Sequence, residues 1–205
     1  MENIFRDTKT LITILRPGAI YGRHATHPRE WWLIKRALDG RTKIPVAYNA
    51  ESIFHTSSTS GIANLTEICM RSPAQRILNV ADPQPLSIRE IVAALESTSG
   101  LEINLHPFAG APVDNVGDTP WSVPRPYILN STRAKSLGWD GGMDYVEAVK
   151  DLVIWLMKFK NDSNWKSQFK AYADYSDDPF NYNAEDSFIA AATQPARVKH
   201  PDFQT

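Results

Sequence analysis

A single cysteine, Cys69, stands among the 205 residues, which excludes an internal disulfide and a Cys-rich zinc site. That thiol usage suits a reducing compartment. No segment approaches the roughly 20 consecutive apolar residues that a membrane-crossing helix needs. Residues 1–7 carry no cationic start followed by an apolar stretch, so they do not read as a secretory leader. A cytoplasmic protein with no membrane partner is therefore expected. Excess charge of one sign is missing too. Lys and Arg number 22 against 23 Asp and Glu, a net charge of -1, so no basic field draws nucleic acid or an anionic membrane surface. Internal repeats, low-complexity tracts and heptads are also absent, which sets aside solenoids and coiled coils. What is present suits a packed fold: 42% hydrophobic and 22% charged residues, in a chain long enough for one core or one core with a small lobe.

Hydrophobic periodicity predicts alternating strands and helices, an α/β pattern. Leu11-Ile12-Thr13-Ile14-Leu15 reads as a buried strand ending at Pro17-Gly18, apolar on both faces as in a covered parallel sheet. A helix follows from Pro28, with Thr26 as cap, and stops at Gly40; Trp31, Ile34 and Leu38 form its buried face. Ile44 to Ala47 and Ser52 to His55 read as short strands. Ile62, Leu65 and Cys69 mark a helix closing near Pro73, and Ser57-Ser58-Thr59-Ser60-Gly61 caps its start. Ile77-Leu78-Asn79-Val80 is a third buried strand. Ser87 and Glu90 have the spacing of a reciprocal capping box ahead of Ile88, Ile91, Val92 and Leu95. Glu102 to Phe108 suits one more strand, whereas residues 109 to 126, with four prolines, cannot form regular interior structure. A final strong helix runs from Tyr145 to Phe159, capped by Asp144, with Val146, Val149, Val153 and Leu156 on one stripe. Residues 160–205 suit an extended, partly flexible arm anchored by Trp165, Phe169, Tyr172, Tyr175, Phe180 and Tyr182, whose last ten residues fray.

The run Leu15-Arg16-Pro17-Gly18-Ala19-Ile20-Tyr21-Gly22 resembles the strand-to-loop passage of extended short-chain dehydrogenase/reductases, where an Arg is followed by Tyr-Gly. Further segments resemble that family in the same order. They are the Pro28 to Gly40 helix, Ile44-Pro45-Val46, Ile77 to Pro83, Thr119 to Pro126, and Leu137-Gly138-Trp139 before the last helix. The likeness spans roughly residues 10 to 190 by pattern. It is to the C-terminal half of NAD-dependent epimerases/dehydratases. It implies an α/β fold: a partial, Rossmann-like parallel sheet made of the last strands, with the C-terminal substrate-binding lobe. Residues 1–159 would form that unit and residues 160–205 the arm.

Two family signatures are missing. The Gly-rich turn that cradles a dinucleotide has no counterpart, because Gly138, Gly141 and Gly142 precede a helix with no buried strand before them. No tyrosine has a lysine four positions later, so the Tyr-x-x-x-Lys proton-exchange pair is absent and no catalytic residue is assigned. In the family that pair lies just before the strand ending at Arg16, so the sequence is expected to begin mid-domain. The chain alone should bind NAD(P) weakly or not at all.

The resemblance places Pro17, Gly18 and Ala19 near the nicotinamide and the substrate. Tyr21, Arg23, His24, His55, Trp121 and Arg125 are the candidate substrate-binding residues, with Arg23, His24 and His27 a polar rim. His24-x-x-His27 has no third ligand nearby in sequence, so it is read as loop histidines and no metal site is assigned. The family's substrate-contacting Asn is Ala19 here, its Arg to a nucleotide diphosphate is replaced near Phe54-His55, and its acidic pair before a helix is Ser57-Ser58. The departure at Phe54-His55 weighs against a nucleotide-sugar substrate. The expected function is the substrate-binding half of an epimerase/dehydratase-like oxidoreductase acting on a small hydroxy/keto molecule, partnered by a missing Rossmann half or by a second copy of the chain. The alternative is a non-enzymatic small-molecule or protein-binding module derived from that lobe.

Overall fold

The computed structural model describes residues 10–174 and 178–193. Every strand pair in it is parallel. β1 (Thr13–Pro17) pairs with β5 (Arg76–Val80), β2 (Ala19–Tyr21) with β4 (Thr56–Ser58), and β3 (Ile44–Val46) with β6 (Leu105–Pro107). The helices between them are α1 (Trp31–Leu38), α2 (Thr59–Arg71) and α3 (Ile88–Ser99), followed by α4 (Thr132–Lys135), α5 (Tyr145–Leu156), α6 (Lys170–Ala173) and α7 (Asn183–Thr193). The expected α/β alternation is present, distributed over three short parallel pairs rather than one continuous sheet.

Several expected boundaries shift. β1 begins two residues late because its register is set by β5, with Thr13 opposite Arg76 and Pro17 opposite Val80. Ile53 and Phe54 form only isolated bridges, and the strand proper is Thr56–Ser58. Thr26 does not cap α1: the cap position is Glu30, reached through a turn in which the Trp31 and Trp32 amides donate to Pro28 and Arg29. Asp144 caps α5 through its backbone carbonyl and not its side chain. Val146 faces solvent, and the buried stripe is Tyr145, Val149, Leu152, Val153 and Leu156.

Two apolar cores result. The larger joins α1, α3 and α5 around Trp31, Ile34, Ile91, Leu95, Val149 and Leu156. The smaller packs Leu65 and Cys69 of α2 against Leu78 and Val80 of β5, with Ala134 and Trp139 beneath. Residues beyond α5 extend the larger core. The described ones fold into short helical turns at Met157–Phe159, Trp165–Ser167 and α6. The aromatic anchoring expected there is present: Phe169 stacks edge-on to Trp31 at 5.2 Å, and Trp165 meets Phe180 at 5.1 Å. Tyr175 and the last ten residues lie outside the described residues. Among the described residues no helix is long and apolar enough to cross a membrane.

The start of α3 shows how local sequence fixes an element. The Ser87 hydroxyl accepts from the Glu90 amide while the Glu90 carboxylate accepts from the Ser87 amide at 2.7 Å. At the other end Gly100 adopts a left-handed φ of 72° that closes the helix, a conformation costly for a residue with a side chain. Ser87→Ala removes one half of the box and should cost about 1 kcal/mol. Thermal denaturation should register this as a fall of roughly 3 °C in Tm.

Candidate functional site

Two regions carry polar groups that the core does not consume. The first is the loop after β1. The Gly18 amide donates to Ser57 Oγ at 2.8 Å, and that hydroxyl donates on to the Val80 carbonyl at 2.7 Å. The Ala19 amide donates to the His55 carbonyl at 2.8 Å. Pro17-Gly18-Ala19 is thereby laid against the segment 55–58. The approach is close enough that a Cβ on Gly18 would sit 2.1 Å from the His55 carbonyl oxygen.

His55 is held by both ring nitrogens. The Leu129 amide donates to Nδ1 at 3.2 Å, so Nε2 carries the proton and donates to the Asp82 carbonyl at 2.9 Å. Burial pushes the imidazole pKa down, in keeping with this neutral form. Asp82, almost fully buried, accepts from Thr56 Oγ1 at 2.7 Å and from the Ser58 amide at 2.9 Å. Ser58 in turn caps α2, its hydroxyl accepting from the Gly61 amide at 3.1 Å, which is the capping use expected for the Ser-rich turn.

Beneath this network lies a buried acid cluster. Tyr145 donates its hydroxyl to Glu30 Oε1 at 2.9 Å, while Glu30 Oε2 and the Tyr21 hydroxyl have no hydrogen-bond partner among the described residues. Glu30 is 1% exposed. Burial raises its pKa, and it raises both phenols further above their ordinary range, helped by Asp82 and Glu30.

The sequence-predicted residues therefore divide. Ala19, Tyr21, His55 and Trp121 are buried, whereas Arg23, His24 and Arg125 are exposed and Pro17 and Gly18 are partly covered. Tyr21, Ala19 and His55 meet around the segment 55–58. Trp121 is packed in the larger core. His24 takes a left-handed φ of 67° and stacks edge-on to Trp155 at 5.3 Å.

The second region is a cleft of about 730 Å³ between α1, the segment 114–120 and the arm. Its floor is Trp32, Arg36 and Tyr172. Arg36 stacks 3.4 Å from the Trp32 ring and donates to Glu185 Oε1, to the Trp32 carbonyl and to the Pro179 carbonyl. One lip is a tight turn in which Val113 and Val116 exchange backbone hydrogen bonds and Asp114 and Asn115 hold φ of 48° and 65°. That geometry is a two-residue hairpin with positive φ at both central positions, which Asp and Asn tolerate. It was legible as Val-Asp-Asn-Val, yet the surrounding prolines made the whole segment read as loop. Sequence reasoning gave no role to Arg36 or to Asp82, although Asp82 closes the family-like run Ile77 to Pro83, because the partners of both lie far away in sequence.

Two outcomes follow from the first region. Gly18→Ala must push the loop off the His55 carbonyl and should lose roughly 1–3 kcal/mol, read from the urea midpoint. Glu30 has a folded pKa above its unfolded value of about 4.5. Its stabilising contribution is complete below that unfolded value and is lost as pH rises through the folded one. Glu30→Gln keeps an acceptor for Tyr145 and cannot ionise. The variant's Tm relative to the parent should therefore climb as pH is raised from about 4.5 toward neutrality, as melting curves across that range will show.

No family model matches the chain, and no curated protein matches it by sequence. Solved structures do. UDP-glucose 4-epimerase of Thermotoga maritima, with UDP-glucose, matches with a TM-score of 0.58 at 19% identity, over 77% of this chain and 49% of that one. UDP-glucuronic acid 4-epimerase of Bacillus cereus, with UDP-glucuronic acid and NAD, gives 0.60 at 14% identity over 77% and 49%. dTDP-glucose 4,6-dehydratase of Bacillus anthracis, with NAD, gives 0.57 at 15% identity over 76% and 47%. The chain spans about half the length of the structures it matches. It shares the α/β fold of the matched portion of these epimerases and this dehydratase.

Proposed function

We propose that this chain is the substrate-binding half of a nicotinamide-dependent epimerase/dehydratase-like oxidoreductase, with hydride transfer carried out by a Gly-rich Rossmann half. The observation that carries this reading is the edge of β1. Parallel strands belong in sheets covered on both faces. Among the described strands β1 pairs with β5 alone. Leu11 beside it is 61% exposed, and an apolar groove lined by Leu11, Leu15, Cys69 and Met70 runs along the same side. A further parallel strand and its helix, supplied by the cofactor half, would cover both features.

In this reading Pro17, Gly18 and Ala19 approach the nicotinamide, where small residues permit close contact. Tyr21 and His55 support that loop from beneath, and Trp121 shapes the wall. Arg23, His24 and Arg125 are the exposed polar groups available to a small hydroxy/keto substrate. Residues 1–159 are assigned to the working unit and residues 160–205 to the arm, whose described aromatics Trp165, Phe169 and Tyr172 close the far side of the larger core. The cofactor is NAD, as in the matched complexes, and the setting is cytoplasmic.

The test is complementation. The chain alone should show no saturable NAD binding by fluorescence titration. Mixed with a separately produced Rossmann half carrying the Gly-rich turn and Tyr-x-x-x-Lys, it should form a complex that reduces bound NAD when offered a panel of hydroxy substrates. Tight NAD binding by the chain alone, or a mixture that neither associates nor turns over, would favour a passive binding module instead.

A further inference from the structure

His55 joins three segments, and the two nitrogens of its ring do different work. The Leu129 amide can only donate, so Nδ1 presents a lone pair to it at 3.2 Å, and Nε2 carries the proton given to the Asp82 carbonyl at 2.9 Å. A second proton on the ring would therefore disturb one side alone. Nε2–H keeps its acceptor, whereas Nδ1–H would be set against the Leu129 N–H, donor facing donor.

Leu129 covers the loop after β1. Its Cδ1 lies 3.4 Å from the point where a Cβ on Gly18 would stand. The His55 carbonyl also takes the Ala19 amide, so one residue holds that loop through its backbone and the loop's cover through its ring. The segment carrying Leu129 is anchored on either side of it. The His55 amide donates to the Tyr127 carbonyl at 2.9 Å, and Asn79 Nδ2 donates to the Asn130 carbonyl at 3.1 Å. Between those anchors the packing is thin, with Ile128 55% exposed. Few charges face the imidazole. Burial lowers its pKa below the ordinary 6.5, the Asp82 carbonyl and carboxylate oppose that shift, and the Lys135 ammonium of α4 adds to it. Residues 17–19 and 127–130 bring no charged side chain.

We propose that His55 is a pH-operated latch: uncharged, it holds Leu129 over Gly18, and protonation at Nδ1 frees Leu129 and uncovers the loop after β1. The folded pKa lies below the unfolded value, so the latch is complete above that unfolded value and is lost as pH falls through the folded one. The neutral ring thus presents residues 17–19 in one closed arrangement, and acid opens it without breaking the bond to Asp82. This device belongs to the chain itself and stands with or without a cofactor half.

Amide hydrogen exchange of the full chain, followed by NMR from about pH 7.5 to about pH 5 beside the titration of the His55 ring, tests it. The protection of Leu129, corrected for the intrinsic pH dependence of exchange, should fall at least about tenfold with the midpoint of the ring. Ile91, whose amide is bonded to Ser87 at the start of α3, should keep its protection. His55→Asn places an oxygen near the position of Nδ1 that can accept from Leu129 and cannot gain a proton, so its Leu129 protection should stay level across the range. Glu30→Gln should retain the fall, which separates the latch from the buried acid. Leu129 protection that ignores the ring titration overturns the proposal, as does a fall that persists in His55→Asn or vanishes in Glu30→Gln. Loss at Ile91 together with Leu129 overturns it too, since that marks global unfolding. Should His55→Asn fail to fold, the parent chain and Glu30→Gln still decide between these outcomes.

Discussion

The Asp82 carboxylate is the constraint on which the first region depends. A buried carboxylate is tolerated only where its oxygens are hydrogen-bonded. Asp82 meets that condition by accepting from Thr56 Oγ1 and from the Ser58 amide. Both partners belong to the junction between β4 and α2, so satisfying one charge on the loop after β5 fixes where that junction lies. The positive end of α2 adds to the attraction. With β4 pinned, Ser57 Oγ is placed to bridge the Gly18 amide and the Val80 carbonyl, and the His55 carbonyl is placed to receive the Ala19 amide. The position of the loop after β1 is therefore a consequence of a side chain more than sixty residues further along the chain.

What could be read in the sequence follows the range of the forces involved. α3 was legible because its cap is a bond between residues three apart, and β5 because its apolar run needs no partner to be recognised. The start of β1 was not, since its register is set by β5 across more than sixty residues. Asp144 looked like a cap, but only its carbonyl serves α5, and Val146 points outward because Tyr145 and Leu152 turn the buried face away from it. The site obeys the same rule. Gly18, Ala19, Tyr21 and His55 come together as a short motif and its neighbouring strand allow, whereas the cleft joins Arg36 to Glu185 over 149 positions and has no local signature.

The arm shows how two kinds of interaction divide the labour in such a long-range closure. Trp165 and Phe169 bury large apolar areas against Trp31, which favours association but tolerates sliding. The Arg36–Glu185 pair costs desolvation and adds little net stability of its own. Its geometry is demanding, however: the guanidinium must also find the Pro179 and Trp32 carbonyls while lying flat on the Trp32 ring. Pro179 and Glu185 must both reach this one fixed guanidinium, which ties residues 179–185 to α1 at two points. The aromatic contacts thus hold the arm down, and the buried pair sets its register against α1.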